Sequence, residues 1–369
     1  MKTAFLFGSL NRGGTETLLL DVCNTLKSSD FDAVGIYRKT GALEEEFKKS
    51  TVPFTKLSIN KNPISYIFRL RKFIKSNDID ILHSQQPIDA FLGLIASIGL
   101  KKKHVLTFHG FDFDQNKLLV SFIIHRTDLN IFVSNYQKSY YSKKYNLNPE
   151  KQTVIYNGIN LDKFNIVVQT NSLRNELNLD NTTLLLGMVG NFNQVRDQLT
   201  VCRFLKLLNT QQVDFHFIFV GKRDDNNPER FDNCVKYCTD NNLSDNVSFL
   251  GKRDDVPSIL NQLDAFIYST EHDTFGIAVV EAMAVGIPVF VNDWDVMKEI
   301  TEDGSLAILY KTTDESDLLN KFILFLQNNE LYNQQALSAS EVIKSKYTIN
   351  NHIENLKQAY NQLNNNHHP

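Results

Sequence analysis

The residues best placed to do chemistry run from Ser269 to Val289. At their centre is Asp273-Thr274-Phe275-Gly276-Ile277, followed by Glu281, the run Ala282-Met283-Ala284, and Gly286-Ile287-Pro288-Val289. A helix starting around Thr274–Ile277 would aim free backbone N–H groups, and the positive end of its dipole, at an anion such as a phosphate. Glu281 falls two turns further on, close to the face of Asp273 and Ile277. A carboxylate there can accept two hydroxyl hydrogen bonds from a ribose. Taken alone, the segment fits packing just as well, with Gly276 and Gly286 allowing close approach and Glu281 solvated.

Further candidates stand at other turns. Gly187 to Gln198 reads as strand, glycine turn, helix, and contains Asn191 and Arg196. A guanidinium fork at position 196 suits a diphosphate, although a lone arginine at a helix start is more often a surface charge. The stretch Val247–Pro257 presents Gly251, Lys252 and Arg253 in a loop after a strand. In the amino-terminal half, Gly13-Gly14-Thr15-Glu16 follows the first strand but is not the G-x-G-x-x-G dinucleotide fingerprint. Thr107-Phe108-His109-Gly110 ends another strand; a lone histidine is more often structural, but its place beside a glycine favours His109 as a site residue. The pair Asp112/Asp114 resembles a metal–diphosphate motif. Yet Asp30/Asp32, Asp78/Asp80 and Asp293/Asp295 repeat the spacing, so it is close to chance. Since no His/Cys cluster has metal spacing, we expect no essential metal and no cofactor. Charge on a bound diphosphate would be met by Arg196, backbone amides and a helix dipole.

These residues need strands and helices to hold them. Short apolar runs at Ala4–Phe7, Ala33–Tyr37, Ile81–His83, His104–Phe108, Leu129–Val133 and Thr153–Tyr156 read as strands. A second series is Leu184–Val189, Phe215–Val220, Val247–Leu250, Ala265–Tyr268, Pro288–Val291 and Ala307–Leu309. Helical patterns such as Glu16–Ser28 and Ile64–Ser76 lie between. The alternation implies α/β folding with parallel sheets covered on both faces, and two doubly wound, Rossmann-like domains rather than one very wide sheet. The boundary is expected within Asn160–Asn181, giving domains of residues 1–165 and 166–349. A last helix from about Asn350 carries Ile353, Leu356, Tyr360 and Leu363 at helical spacing and is expected to pack back on the first domain, ahead of a frayed polar tail. In such sheets ligands bind beyond the carboxyl ends of the strands, so two facing domains would place the chemistry in an interdomain cleft.

Composition sets limits. The chain has 369 residues, 42% hydrophobic and 22% charged, the balance of a globular protein. Its four cysteines form no C-x-x-C pair and read as small buried hydrophobes. The opening Met1–Leu10 reads as a buried strand rather than a leader, and no window approaches the ~20 apolar residues of a bilayer span, so a cytoplasmic protein is expected. Net charge is only -3, but residues 1–165 carry +8 and the remainder -11. The basic half suggests a membrane surface or an anionic acceptor, and no nucleic acid is expected. Lys101–Lys103 and the run Leu118–Ile124 read either as a membrane patch or as a solvated loop beside a core helix.

The whole chain resembles the GT4 family of retaining glycosyltransferases, which have the GT-B fold. The resemblance rests above all on Glu281 with Ala282–Val289. It implies that Glu281 binds the donor ribose, while backbone amides around Thr274, Phe275, Gly276 and Ile277 hold the donor sugar and diphosphate. Asp273 stands where the family usually has a glutamate that reaches donor-sugar hydroxyls. Arg196 fills a position usually taken by lysine, and Asn191 replaces an arginine, which implies either weaker donor binding or a cation borrowed from Lys222 or Arg223. Gly251, Lys252 and Arg253 match a base-reading loop. Gly14 belongs to a loop that leaves room for the diphosphate and acceptor, and His109 matches a histidine near the reacting carbon. The implied activity is retaining transfer from a nucleotide-sugar, on family frequency a UDP-sugar, to a glycan or lipid-linked acceptor in bacterial surface polysaccharide synthesis. This places the protein in the cytoplasm, peripheral at the inner face of the membrane. A non-transferring GT-B protein, either an epimerase or a degenerate binding subunit, is the alternative; a Rossmann dehydrogenase is disfavoured because no glycine fingerprint follows a strand.

Overall fold

In the computed structural model, all residues are described except 28–29, 60–61, 114–115, 165–171 and 366–369. Ser28, Asp114, the expected boundary at 165/166 and the end of the tail therefore lie outside the described residues. The chain divides into two compact units, one of Met1–Ile159 together with the chain from Tyr347 onward, the other Asn160–Lys346.

The first unit contains β1 (Lys2–Ser9), α1 (Gly14–Thr25), β2 (Asp32–Lys39), α2 (Glu44–Lys49), β3 (Phe54–Lys56), α3 (Pro63–Ser76), β4 (Ile81–Ser84), α4 (Pro87–Ala96), β5 (Lys103–Phe108), α5 (Lys117–Arg126), β6 (Leu129–Phe132), α6 (Asn135–Tyr145) and β7 (Gln152–Val154). The strands form a seven-stranded sheet in the order β3-β2-β1-β4-β5-β6-β7, with every pairing parallel. Periodicity did not reveal β3. It has three residues, none fully buried, at the sheet edge, where pairing needs little apolar surface.

The second unit contains α7 (Ser172–Glu176), β8 (Leu184–Val189), α8 (Gln198–Thr210), β9 (Phe215–Val220), α9 (Glu229–Asp240), β10 (Val247–Gly251), α10 (Val256–Leu260), β11 (Ala265–Tyr268), α11 (Ile277–Val285), β12 (Val289–Asn292), α12 (Asp295–Ile300), β13 (Ile308–Tyr310), α13 (Glu315–Gln327) and α14 (Asn329–Lys346). Its six-stranded sheet runs β10-β9-β8-β11-β12-β13, again all parallel. Strand interiors such as Phe215–Val220 are buried at every position, as expected of strands covered on both faces.

The last helix, α15 (Ile349–Asn365), returns to the first unit. Ile159 N–H donates to Tyr347 O at 2.8 Å, and Ile349 N–H donates to Ile159 O at 3.0 Å. Gly158 permits this approach, because a Cβ there would lie 2.5 Å from the Thr348 carbonyl oxygen. Tyr360 of α15 is fully buried, and its hydroxyl lies 2.6 Å from His83 Nδ1 in the sheet.

Candidate active site

Each sheet reverses its strand order once, between β1 and β4 in the first unit and between β8 and β11 in the second. Ligands of doubly wound sheets bind at such switch points, beyond the carboxyl ends of the strands. The loops after β8 and β11 carry Arg196, Asp273 and Gly276, and backbone bonds bind the two loops together. Asp197 N–H donates to Ser269 O (3.1 Å), Glu271 N–H donates to Val195 O (2.9 Å), and the Thr270 hydroxyl also donates to Val195 O (2.7 Å).

Within this frame Asp273 is saturated by protein. Its Oδ1 accepts from Thr274 N–H (2.9 Å), and its Oδ2 accepts from the Tyr268 hydroxyl (2.6 Å) and lies 3.1 Å from Arg196 Nη1. The guanidinium also lies over the Tyr268 ring, 5.1 Å from its centroid. Burial opposes the charge on Arg196, but Asp273 and Tyr268 hold it charged and raise its pKa above the ordinary range. Arg196 Nε is buried beside Gly190 without a hydrogen-bond partner.

α11 starts at Ile277, capped by Gly276 in the left-handed region at φ 81°. Asp273 therefore precedes the helix and does not share its face with Glu281, contrary to the expectation from spacing. Ile277 and Glu281, four apart, do share one, and Glu281 is half-buried. Phe275 and Thr274 are buried, leaving backbone amides as this turn's means of holding an anion. Trp294, the sole tryptophan, donates its indole N–H to Asp273 O at 2.9 Å.

The other candidates separate. Asn191 Oδ1 accepts the Lys222 backbone N–H at 2.8 Å, so this side chain clasps the loop after β9. Lys222 and Arg223 are exposed and paired with Asp225 and Asp232. Arg253 bridges Glu176 and Asp255, and Lys252 lies 3.8 Å from Asp254. Gly251 ends β10 at φ 64° and accepts the Gly221 N–H at 2.8 Å.

In the first unit Gly14 opens α1, capped by Gly13, with Glu16 folded against the turn. His109 follows β5, and its Nε2 lies 2.8 Å from Gln85 Oε1 at the end of β4. Desolvation, then the neighbouring His352 of α15, push the His109 pKa from 6.5 down to about 3. Gln85, Tyr268 and Trp294 were not anticipated. Each lies at or beyond the end of a strand, the one signal that could have found them. Among the described residues no group of three His, Cys, Asp or Glu is arranged to hold a metal, and no helix is long and apolar enough to cross a membrane.

Two doubly wound parallel units with loops of this chemistry define the GT-B class of glycosyltransferase folds. The Glycosyltransferase Family 4 profile matches residues 12–163, and the Glycosyl transferases group 1 profile matches residues 169–341. The chain belongs to this family of glycosyl-transferring enzymes. It is 23% identical, over 94% of its own length and 93% of the other's, to the UDP-Gal:alpha-D-GlcNAc-diphosphoundecaprenol alpha-1,3-galactosyltransferase of Escherichia coli. It is 25% identical, over 79% and 77%, to the N-acetyl-alpha-D-glucosaminyl L-malate synthase of Bacillus anthracis. Its fold matches the crystal structure of Anabaena HepE in complex with UDP and glucose with a TM-score of 0.87, at 18% identity, covering 98% of this chain and 100% of that one.

Proposed function

We propose that this enzyme takes its sugar from a UDP-sugar bound on the second unit and passes it, with retention of configuration, to a glycan or lipid-linked acceptor. The observation that carries the reading is the switch point of the second sheet. The start of α11, Arg196 in the loop after β8 and the half-buried Glu281 lie where a doubly wound sheet binds its ligand. The diphosphate would take Arg196 and the amides of α11, and the ribose would take Glu281. The relatives supply the rest, one named for a UDP-galactose donor and an undecaprenol-linked acceptor, another solved with UDP.

The sugar's bond from C1 to the donor phosphate oxygen breaks while the acceptor oxygen bonds to C1 on the same face. The acceptor proton passes to a donor phosphate oxygen, so no protein nucleophile is needed. Arg196 and the amides stabilise the negative charge that grows on the diphosphate. The reading is metal-independent.

The test is thermal shift and Trp294 fluorescence with UDP, GDP and ADP, each with and without magnesium. A ligand that binds only the folded state raises the melting temperature. UDP should stabilise without metal, and Glu281→Ala should abolish the shift. Stabilisation by GDP or ADP alone would overturn the donor assignment, and an unchanged shift in Glu281→Ala would overturn the site.

A further inference from the structure

The outer face of the first unit carries a second feature, separate from the donor site. Helices α3, α4 and α5 lie side by side on one face of the first sheet, with α4 packed against both neighbours. Their inner faces are core. Tyr66, Leu70 and Ile74 of α3 join Leu92 and Ala96 of α4, and Ala90 of α4 joins Val120, Ile123 and Ile124 of α5.

Their outer faces are apolar too. Ile64 and Phe68 on α3, Ile88 on α4, and Leu118 and Phe122 on α5 are all exposed, Phe68 at 67% and Leu118 at 83%. Ile64/Phe68 and Leu118/Phe122 are each four apart, so each pair shares a helix face. Four of the five fall in the first half of their helices, and Phe122 is the sixth of the ten residues of α5. Because the three helices run back along parallel strands in the same sense, these residues form a band near one end of the layer. The run Leu118–Ile124 is thus both a core helix and an exposed apolar face.

Charge on these helices is of one sign. The sole acidic residue in α3, α4 and α5 is Asp89. It is buried, with its Oδ1 2.6 Å from Arg38 Nε. Exposed on the same helices are Arg69, Lys72, Lys75, Lys117 and Arg126, the last lying 5.1 Å from the Phe122 ring centroid. An apolar band with cations and no exposed carboxylate has the make-up of an interfacial surface for anionic lipid. Large exposed apolar side chains grouped in this way mark an interaction site rather than ordinary surface.

We propose that this three-helix face docks the protein on an anionic bilayer, with Phe68, Leu118 and Phe122 entering the headgroup boundary and the basic side chains engaging lipid phosphates. The proposal goes beyond the donor-site reading and does not depend on it. The test is flotation of the full chain with vesicles of phosphatidylcholine alone and of equal phosphatidylcholine and phosphatidylglycerol, alongside light scattering for oligomeric state. Wild type should float with the anionic vesicles and stay behind with the neutral ones, and added salt should weaken the binding. Leu118→Ser/Phe122→Ser should keep its melting temperature, since both side chains are exposed, and lose binding by about tenfold or more. Lys117→Glu/Arg126→Glu should lose it as well. Three results would each overturn the proposal: no flotation of wild type, unchanged flotation of the apolar variant, or a wild-type dimer that the apolar variant dissociates, which would make the face a self-association surface.

Discussion

Arg196 Nη1 lies 3.1 Å from Asp273 Oδ2, so a cation and an acid that are both candidates for the donor neutralise each other. An aspartate and an arginine stand at positions where the family resemblance implies a glutamate and a lysine. The shorter acid meets the longer base, and the Tyr268 hydroxyl fixes the meeting point. In this structure Asp273 and Tyr268 together hold the Arg196 guanidinium in place.

Asp273→Asn should leave a buried guanidinium without its counter-charge and cost about 3 kcal/mol, read as a fall in the denaturation midpoint. Arg196→Ala should lower turnover by well over tenfold. The double variant Arg196→Met/Asp273→Leu separates the two effects, since it should recover most of the stability and none of the activity. Recovery of turnover in the double variant would show that Arg196 is dispensable.

Gly276→Ala tests the start of α11. A side chain at φ 81° is strained, and its Cβ would come within 2.8 Å of Met297 Cε. The cost should be about 1–2 kcal/mol. Loss of UDP affinity should exceed what this destabilisation explains, because the amides at Ile277 and Ala278 are displaced. Calorimetric titration with UDP at a temperature where the variant stays folded measures it.

Asn191→Ala should cost about 1 kcal/mol, the worth of its hydrogen bond to the Lys222 backbone, and leave UDP affinity almost unchanged. A large loss of UDP affinity at full stability would mean that Asn191 touches the donor after all.

The domain plan was legible because buried parallel strands are short unbroken apolar runs. Leu184–Val189, Phe215–Val220 and Ala265–Tyr268 match the observed strands residue for residue. The site was legible to the level of turns. Glycine marks a left-handed cap such as Gly276, and the residues after a strand are where ligands bind. Side-chain partners were not legible. Whether Asp273 faces a sugar or Arg196 depends on how two loops 76 residues apart are bonded together, and nothing in either segment encodes that. Gln85 escaped for the same reason, since its link to His109 joins two strand ends. The ion pairs of Lys222 with Asp225 and Arg223 with Asp232 were likewise not legible from charge alone.

Acid should unfold the first unit by way of its histidines. Burial is the leading cause in each case. It lowers the pKa of His83 from 6.5 to about 3 and that of His104 to about 4, and His109 falls likewise to about 3. The unfolded chain binds protons that the folded one refuses. Stability is therefore full above about pH 6.5 and is lost as pH falls from there towards 3–4, by up to about 1.4 kcal/mol per pH unit for each histidine. Urea midpoints between about pH 6.5 and 5 should show this slope, and His83→Gln should reduce it. An identical slope in the variant would remove His83 from the account.

The return of α15 fixes the order in which the chain can mature. Tyr360 closes over His83, and His352 donates through Nδ1 to the Tyr156 carbonyl at 2.7 Å, so residues near the end of the sequence finish a domain begun at its start. The second unit is continuous in sequence and can fold while synthesis is still under way. The first unit, though begun earlier, keeps part of its core open to solvent until α15 has been made and packs. A chain cut at Lys346 would keep every donor-binding residue proposed here, yet it should be recovered as aggregate or as protease-sensitive material. In the cell, synthesis of α15, rather than of the amino-terminal half, is the step at which the first unit comes into existence.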